Sequence, residues 1–300
     1  MNAEQLRDLG FQLEGRAPGG ESGGAWFAIA ADGERVVLKW FADEGVADRY
    51  AVLLPALDVL RSRGVPVPEY PFVRAVDGWT LSAQQMLPGR SFPIWPPQLV
   101  DRMIECVSAA AGIVDPRLDV SAAAGFVDPW PAPALQGWGE FVIHTLTVGE
   151  DGWARHDSLR AHSDRARRII DLVEAVGADA EPSWFPTSGL VHFDLHTDNV
   201  LALDDGTLTG IIDWEGACAG DHRYDLVAFA FDLDGHGQQI WDRVEALVEP
   251  HVLRAYVAHM ALRRTDWAIR HRPEDVPRQL DRAERVLDQY IRSTPSRGQP

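Results

Sequence analysis

The chain changes its hydrophobic period once along its length. In the first 87 residues short apolar runs alternate with turn residues. Phe11 to Glu14, Ala25 to Ala30 and Arg35 to Trp40 predict strands, and Asp32-Gly33 fits a tight turn between the last two. One helical stretch intervenes: Val46, Tyr50, Leu53, Leu54, Leu57 and Leu60 recur at helix spacing, with Pro55 predicting a kink or a fresh start. Phe72 to Ala75 and Thr80 to Leu87 flank Asp77-Gly78 as a second hairpin, and Pro88-Gly89 closes the region. From about Pro97 the period is helical, over Leu99 to Val114, Trp138 to Leu146, Ser158 to Ala175, Asp225 to Asp232 and most of Gln238 to Ser293. The segment Asp128 to Pro133, rich in proline, predicts an ordered loop, and the tail from Ser293 to Pro300 a frayed end. The pattern predicts an α+β chain of two lobes, a small β-rich one over 1–87 and a mainly helical one over 88–300.

Composition narrows the function classes. At 300 residues and 46% hydrophobic content there is ample core for two lobes. The net charge of -17 disfavours nucleic acid as a partner, which calls for a basic patch, and permits attraction of a cationic small molecule. No apolar run is long enough to span a bilayer and Met1 to Asp8 lacks the features of a secretory signal, so a cytoplasmic protein without a membrane partner is expected. Cys106 and Cys218 predict buried free thiols.

The candidate chemistry lies mostly between His192 and Glu215. Asp194, Asn199 five residues later, and Asp213 beyond a turn at Asp204-Asp205-Gly206 are bracketed by the apolar runs Leu190-Val191, Val200 to Leu203 and Leu208 to Ile212. Asp194 can accept the proton of a substrate hydroxyl, and Asn199 and Asp213 offer hard oxygen ligands for Mg²⁺ on nucleotide phosphates. Lys39, the only lysine among 28 basic side chains, closes the apolar run from Arg35 after a glycine-rich stretch from Gly15 to Gly24. A compact ammonium fits between phosphate oxygens where a guanidinium does not, and glycines let backbone N–H groups approach phosphates.

These residues, with Ile212-Asp213-Trp214-Glu215 and Gly220-Asp221-x-x-Tyr224-Asp225-Leu226, resemble the aminoglycoside phosphotransferase and choline kinase-like family, a branch of the protein-kinase-like fold. The resemblance implies a bilobal fold that binds ATP or GTP with Mg²⁺. Asp194 would be the catalytic base, Asn199 and Asp213 the metal ligands and Lys39 a phosphate contact. Ser22, Gly23 and Gly24 would match the phosphate loop, Gln85 to Leu87 the hinge that meets the nucleobase, and Asp225 a carboxylate that supports the catalytic loop. Leu53 stands where the family's lysine-pairing glutamate belongs, leaving Glu44 or Asp48 as substitutes. Phe193, Trp214 and Glu215 depart from the protein-kinase pattern, which has Arg before its catalytic Asp and Phe-Gly after its metal-binding one.

The acceptor is expected to be a small molecule with a hydroxyl, bound beside Asp194 between the C-terminal helices and the segment from Val114 to Gly152. Asp198 and Glu215, with Glu140, Glu150 and Asp151, are candidate carboxylates around it, and His196 either touches substrate or hydrogen-bonds the loop. The acidic balance favours a cationic antibiotic, an aminoglycoside or basic peptide, inactivated by O-phosphorylation. The alternative is metabolic phosphorylation of an amino alcohol or sugar, or of a neutral antibiotic such as a macrolide.

Overall fold

The computed structural model describes residues 3–17, 24–91, 95–120, 137–147, 156–233 and 238–292. It divides into two compact units, one of residues 1–94 with 198–212 and one of 95–197 with 213–300. The chain therefore departs from a single boundary after Leu87. The first unit runs on through a short strand at Arg90–Ser91 and takes in a hairpin from far downstream, because that strand pairs with the hairpin and not with its own sequence neighbours.

The first unit begins with helix α1 (Ala3–Asp8) and a five-stranded antiparallel sheet. Its strands are β1 (Gln12–Arg16), β2 (Trp26–Ile29), β3 (Arg35–Phe41), β4 (Phe72–Val76) and β5 (Trp79–Gln85), in the order β1-β2-β3-β5-β4. Alternation sorts the faces. Ala28, Val36, Leu38, Leu81 and Ala83 are buried together with Leu6 and Phe11, while Lys39, next to Leu38, falls on the opposite face opposite Ser82 of β5. The β4–β5 hairpin turns at Asp77 (φ 50°) and Gly78 (φ 82°), the pair of positive φ values that an Asp-Gly turn supplies.

Helix α2 (Gly45–Ser62) runs unbroken through Pro55. Proline removes the hydrogen bond to the carbonyl four residues back, at Ala51, and both residues are exposed, so water can satisfy that carbonyl. The unit is completed by β6 (Arg90–Ser91), β8 (Val200–Ala202) and β9 (Leu208–Ile211), an antiparallel sheet in the order β6-β8-β9.

The second unit is built around α9 (Pro250–His271), which is buried on all sides between Ala255 and Arg263. It packs against α4 (Trp138–Thr147), α5 (His156–His162), α6 (Asp164–Asp179), α7 (Arg223–Asp232) and α10 (Val276–Leu287). The helix expected over Ser158 to Ala175 is two helices. Ser163 adopts extended backbone and its Oγ accepts the Ala166 N–H at 3.2 Å, a serine cap that starts α6. The long helical stretch from Gln238 is cut into α8 (Gln239–Glu245), α9 and α10, with prolines at the starts of α9 and of the turn Pro273–Asp275. Helix α3 (Pro97–Ser108) ends before the expected Val114, and Ala111 instead bridges Gly189. Strands β7 (Gly189–Val191) and β10 (Cys218–Gly220) pair antiparallel, joining the two ends of the segment that holds Asp194, Asn199 and Asp213. Among the described residues no helix is long and apolar enough to cross a membrane. The expected loop at Asp128 to Pro133, the tail and Glu150 and Asp151 lie outside the described residues.

Candidate active site

The loop from His192 to Thr197 is held at both ends by one helix. Asp225, in the first turn of α7, accepts the N–H of His192 at 2.6 Å and of Phe193 at 3.1 Å. Asp232, two turns later on the same face, accepts both the N–H (2.9 Å) and the hydroxyl (2.7 Å) of Thr197. The environments of the two carboxylates push them apart. Burial drives Asp225 up to about 7 although two N–H groups favour its anion. Burial also opposes ionisation of Asp232, but the charge of Arg264 and the Thr197 donors prevail and hold it at about 2. Asp225 thus has the supporting position that the resemblance implied. Nearby Asp221 is fully buried, clasped by Arg223 at 2.8 Å and by the Tyr256 hydroxyl at 2.9 Å.

Phe193 pins the loop. Its backbone is left-handed, at φ 74°, a conformation that costs a bulky residue about 1–3 kcal/mol. Its ring is buried among Trp138, Phe141 and Tyr224, which offsets that cost. The guanidinium of Arg263, from α9, lies 4.8 Å over the ring and donates to the Phe193 carbonyl. The residue that marks a departure from protein kinases is therefore the loop's apolar anchor.

Asp194, fixed by these contacts, remains 27% accessible along its side chain. Arg263 donates to its Oδ1 at 2.9 Å, and the His196 Nε2 lies 3.6 Å from Oδ2. Burial by itself would raise its pKa, but the His196 contact and the charges of His196, Arg263 and Arg264 hold it well below the usual carboxylate range. His196 is the converse: burial favours its neutral form, and Asp194 overrides this and raises it. His196 is thus an ion-pair partner of Asp194. Arg263 and Asp232, which bond this loop, are not singled out by the sequence reading. They lie on helices far along the chain, and an arginine among so many carries no spacing signal.

The His196–Asp194 pair sets a pH window. A histidine raised in the folded state contributes stability that is fully present below its unfolded pKa, about 6.5, and lost as pH rises through the folded value. The difference in denaturant midpoint between wild type and His196→Gln should be largest near pH 5 to 6 and shrink towards pH 9. The titration of Asp225 occurs in both proteins and cancels in the difference. A difference independent of pH would remove the pair.

The other sequence-predicted residues are placed as follows. Asn199 is buried at the end of the turn Thr197–Asn199, and its carbonyl accepts the N–H of Ile212 at 2.9 Å. The next residue, Asp213, is left-handed (φ 70°, ψ 51°) ahead of the turn Trp214–Gly216. Glu215 is buried (5% accessible), and Asp198 accepts the Ser91 hydroxyl at 3.1 Å. In the first unit Gln85 ends β5 and donates its N–H to the Glu69 carbonyl, with Leu87 half-buried against Gly210. Gly24 has φ +73°, a left-handed backbone that favours glycine, and a Cβ there would meet only the movable end of the Arg16 side chain; Ser22 and Gly23 lie outside the described residues. Of the candidate partners for Lys39, Glu44 accepts the Gly78 N–H at 2.8 Å and Asp48 is exposed on α2.

A profile of the phosphotransferase enzyme family matches residues 15–259. By sequence the chain is similar to a homoserine kinase of Gluconacetobacter diazotrophicus, 28% identical over 173 residues, which is 54% of this chain and 46% of that protein. The chain thus aligns with less than half the length of that curated relative. By fold it is similar to a macrolide 2'-phosphotransferase of Brachybacterium faecium, with TM-score 0.55 and 17% identity over 99% of this chain and 98% of that one. It is also similar to an ethanolamine kinase of Plasmodium vivax, with TM-score 0.50 and 11% identity over 93% and 81%. At such identities the likeness is one of fold.

Proposed function

Since the chain belongs to the phosphotransferase enzyme family, we propose that it transfers the γ-phosphoryl group of ATP or GTP to a hydroxyl of a small acceptor. The observation that carries this reading is Asp194: ionised, partly accessible, and fixed by Arg263 on a loop whose backbone is held at both ends. A carboxylate of such low basicity is poorly suited to removing a proton early. It suits a loose transition state, in which orienting the hydroxyl comes first and the proton leaves late.

The donor set at Asn199 and Asp213 fits a hard divalent cation, an amide oxygen and a carboxylate of the kind Mg²⁺ takes. Among the described residues no group of three or more His, Cys, Asp or Glu could hold a metal, so phosphate and water oxygens would complete the shell. Magnesium supplies neutralisation of phosphate charge when bound. In this proposal Lys39 and the Ser22, Gly23 and Gly24 segment contact the phosphates, and Gln85 to Leu87 meet the nucleobase. Asp194 orients the acceptor hydroxyl.

For the acceptor, the reading best supported is a metabolite of the size of an amino alcohol or hydroxy amino acid. The homoserine kinase relative supports it. Of the two carboxylates a cationic antibiotic would use, Glu215 is buried, whereas Asp198 stays exposed with the Ser91 hydroxyl on one oxygen. The net charge of -17 supports the antibiotic reading and keeps aminoglycosides, basic peptides and macrolides among the candidates. Incubation of the purified protein with Mg-ATP or Mg-GTP and a panel of both classes should give a product heavier by about 80 Da, one phosphoryl group, from a small hydroxylated metabolite. An antibiotic as the preferred acceptor would reverse the choice of class. No product from any acceptor would overturn the kinase reading.

A further inference from the structure

Arg263, a buried residue of α9, meets two consecutive loop residues with the two arms of one planar group. Its Nη1 donates to the Phe193 carbonyl and its Nη2 to Asp194 Oδ1 at 2.9 Å. The same guanidinium lies 4.8 Å over the Phe193 ring. A guanidinium cannot fold between its arms, so the place of the Phe193 carbonyl dictates where the Asp194 carboxylate is gripped. That carbonyl points as it does because Phe193 is left-handed, at φ 74°. Relaxation of Phe193 to an ordinary backbone conformation would turn the carbonyl and shift the fork that holds Asp194.

The guanidinium is itself seated from behind. The Tyr224 hydroxyl lies 3.5 Å from Nη1, 3.0 Å from His259 Nδ1 and 3.2 Å from Met260 Sδ, and all four residues are buried. Arginine has no acceptor, so towards Arg263 the phenol oxygen accepts and its own proton turns to the other side. Burial lowers His259 to about 3, so the neutral ring can take that proton on Nδ1.

Building on the kinase reading, we propose that Arg263, seated by Tyr224, is the positioning residue of the transfer step: it converts the left-handed turn at Phe193 into a fixed orientation of the Asp194 carboxylate towards the acceptor hydroxyl. Geometry is then its main contribution and charge the lesser one. An ammonium at the same place would supply the charge, but not two coplanar donors at a fixed spacing for the carbonyl and the carboxylate.

The two roles separate in Arg263→Lys and Tyr224→Phe, each made in the full chain and again together with Asp194→Asn. Rates are read as phosphoryl transfer from Mg-ATP to water, glycerol and serine. Arg263→Lys should stay folded, as its melting temperature reports, and yet lose about ten- to a hundredfold in kcat, the cost of a misplacement of about 1 Å. Its KM for Mg-ATP should stay within about twofold of wild type. Tyr224→Phe keeps the ring against Trp138 and Tyr256 and removes only the hydroxyl; it should lose about two- to tenfold in kcat, again without a change in KM. In the Asp194→Asn background either change should cost no more than about twofold further, because no carboxylate is left to aim. Wild-type kcat in Arg263→Lys or in Tyr224→Phe would overturn the proposal. So would losses of equal size in both backgrounds, the mark of residues that only hold the fold. No transfer by wild type to these probes or to the metabolite and antibiotic panel would sink the kinase reading, and this assignment with it; equal losses in the two backgrounds bear on Arg263 and Tyr224 alone.

Discussion

Asp194→Asn is expected to lower kcat by about 10²- to 10⁴-fold, the range that a positioned acid–base group contributes, while nucleotide affinity stays within about twofold of wild type. Asparagine is the informative substitution because its amide oxygen can still accept the Arg263 donor that Oδ1 accepts now. Alanine would leave the buried Arg263 without its anion and confound chemistry with stability. With the charge gone, His196 loses the partner that raises it, and its pKa, followed by NMR, should fall. A variant with wild-type kcat, or one whose loss of activity matched its loss of nucleotide binding, would remove Asp194 from the acceptor hydroxyl.

Asp225→Ala is expected to have the largest effect on stability. It strips acceptors from two buried N–H groups, those of His192 and Phe193, at about 1–3 kcal/mol each, so a loss of about 2–6 kcal/mol is expected in urea denaturation. Asp225→Asn, with one acceptor oxygen, should lose roughly half as much. The pH dependence separates this from a generic core defect. Because burial lifts Asp225 to about 7, the folded protein binds more protons than the unfolded chain between about pH 4 and 7, and wild-type stability should fall through that window as pH rises. The difference in stability between wild type and Asp225→Asn should carry that fall, because the His196 titration occurs in both proteins and cancels. A variant with unchanged stability would mean that Asp225 does not hold the loop.

Much of the fold was legible because local rules and tertiary context agree. The Asp77-Gly78 turn, the alternation through Arg35 to Trp40 and the spacing in α2 each survive in the structure. Ser163 fits a helix cap, but apolar periodicity continues across it, from Leu159 to Ile169, and masks the break. Pro55 shows the reverse, a breaker overridden because its lost bond faces solvent. The spacing from Asp194 to Asn199 and on to Asp213 was readable because one loop and one hairpin carry all three. The clamp around Asp194 was not. It is assembled by α7 and α9, and which arginine reaches the loop is decided by helix packing, which leaves no mark at fixed offsets. Phe193 illustrates the limit well: its identity was noted as a departure, but its role needs the aromatic cluster of α4 and α7 around it.

The return of residues 198–212 to the first unit has a consequence for the order of events during synthesis. Arg90–Ser91 is made long before its partner strand Val200–Ala202, and at about 5–20 residues per second the gap lasts on the order of 5–20 s. In that interval the five-stranded sheet can form from contiguous chain, while the second sheet of the same unit waits. A truncated chain ending at Ile94 would hold the sheet that carries Lys39 and lack the strands that carry the catalytic segment onward from Asn199. The amino-terminal unit is thus not a module that a gene fragment can encode by itself, and a ribosome finishes it only after it has begun the other.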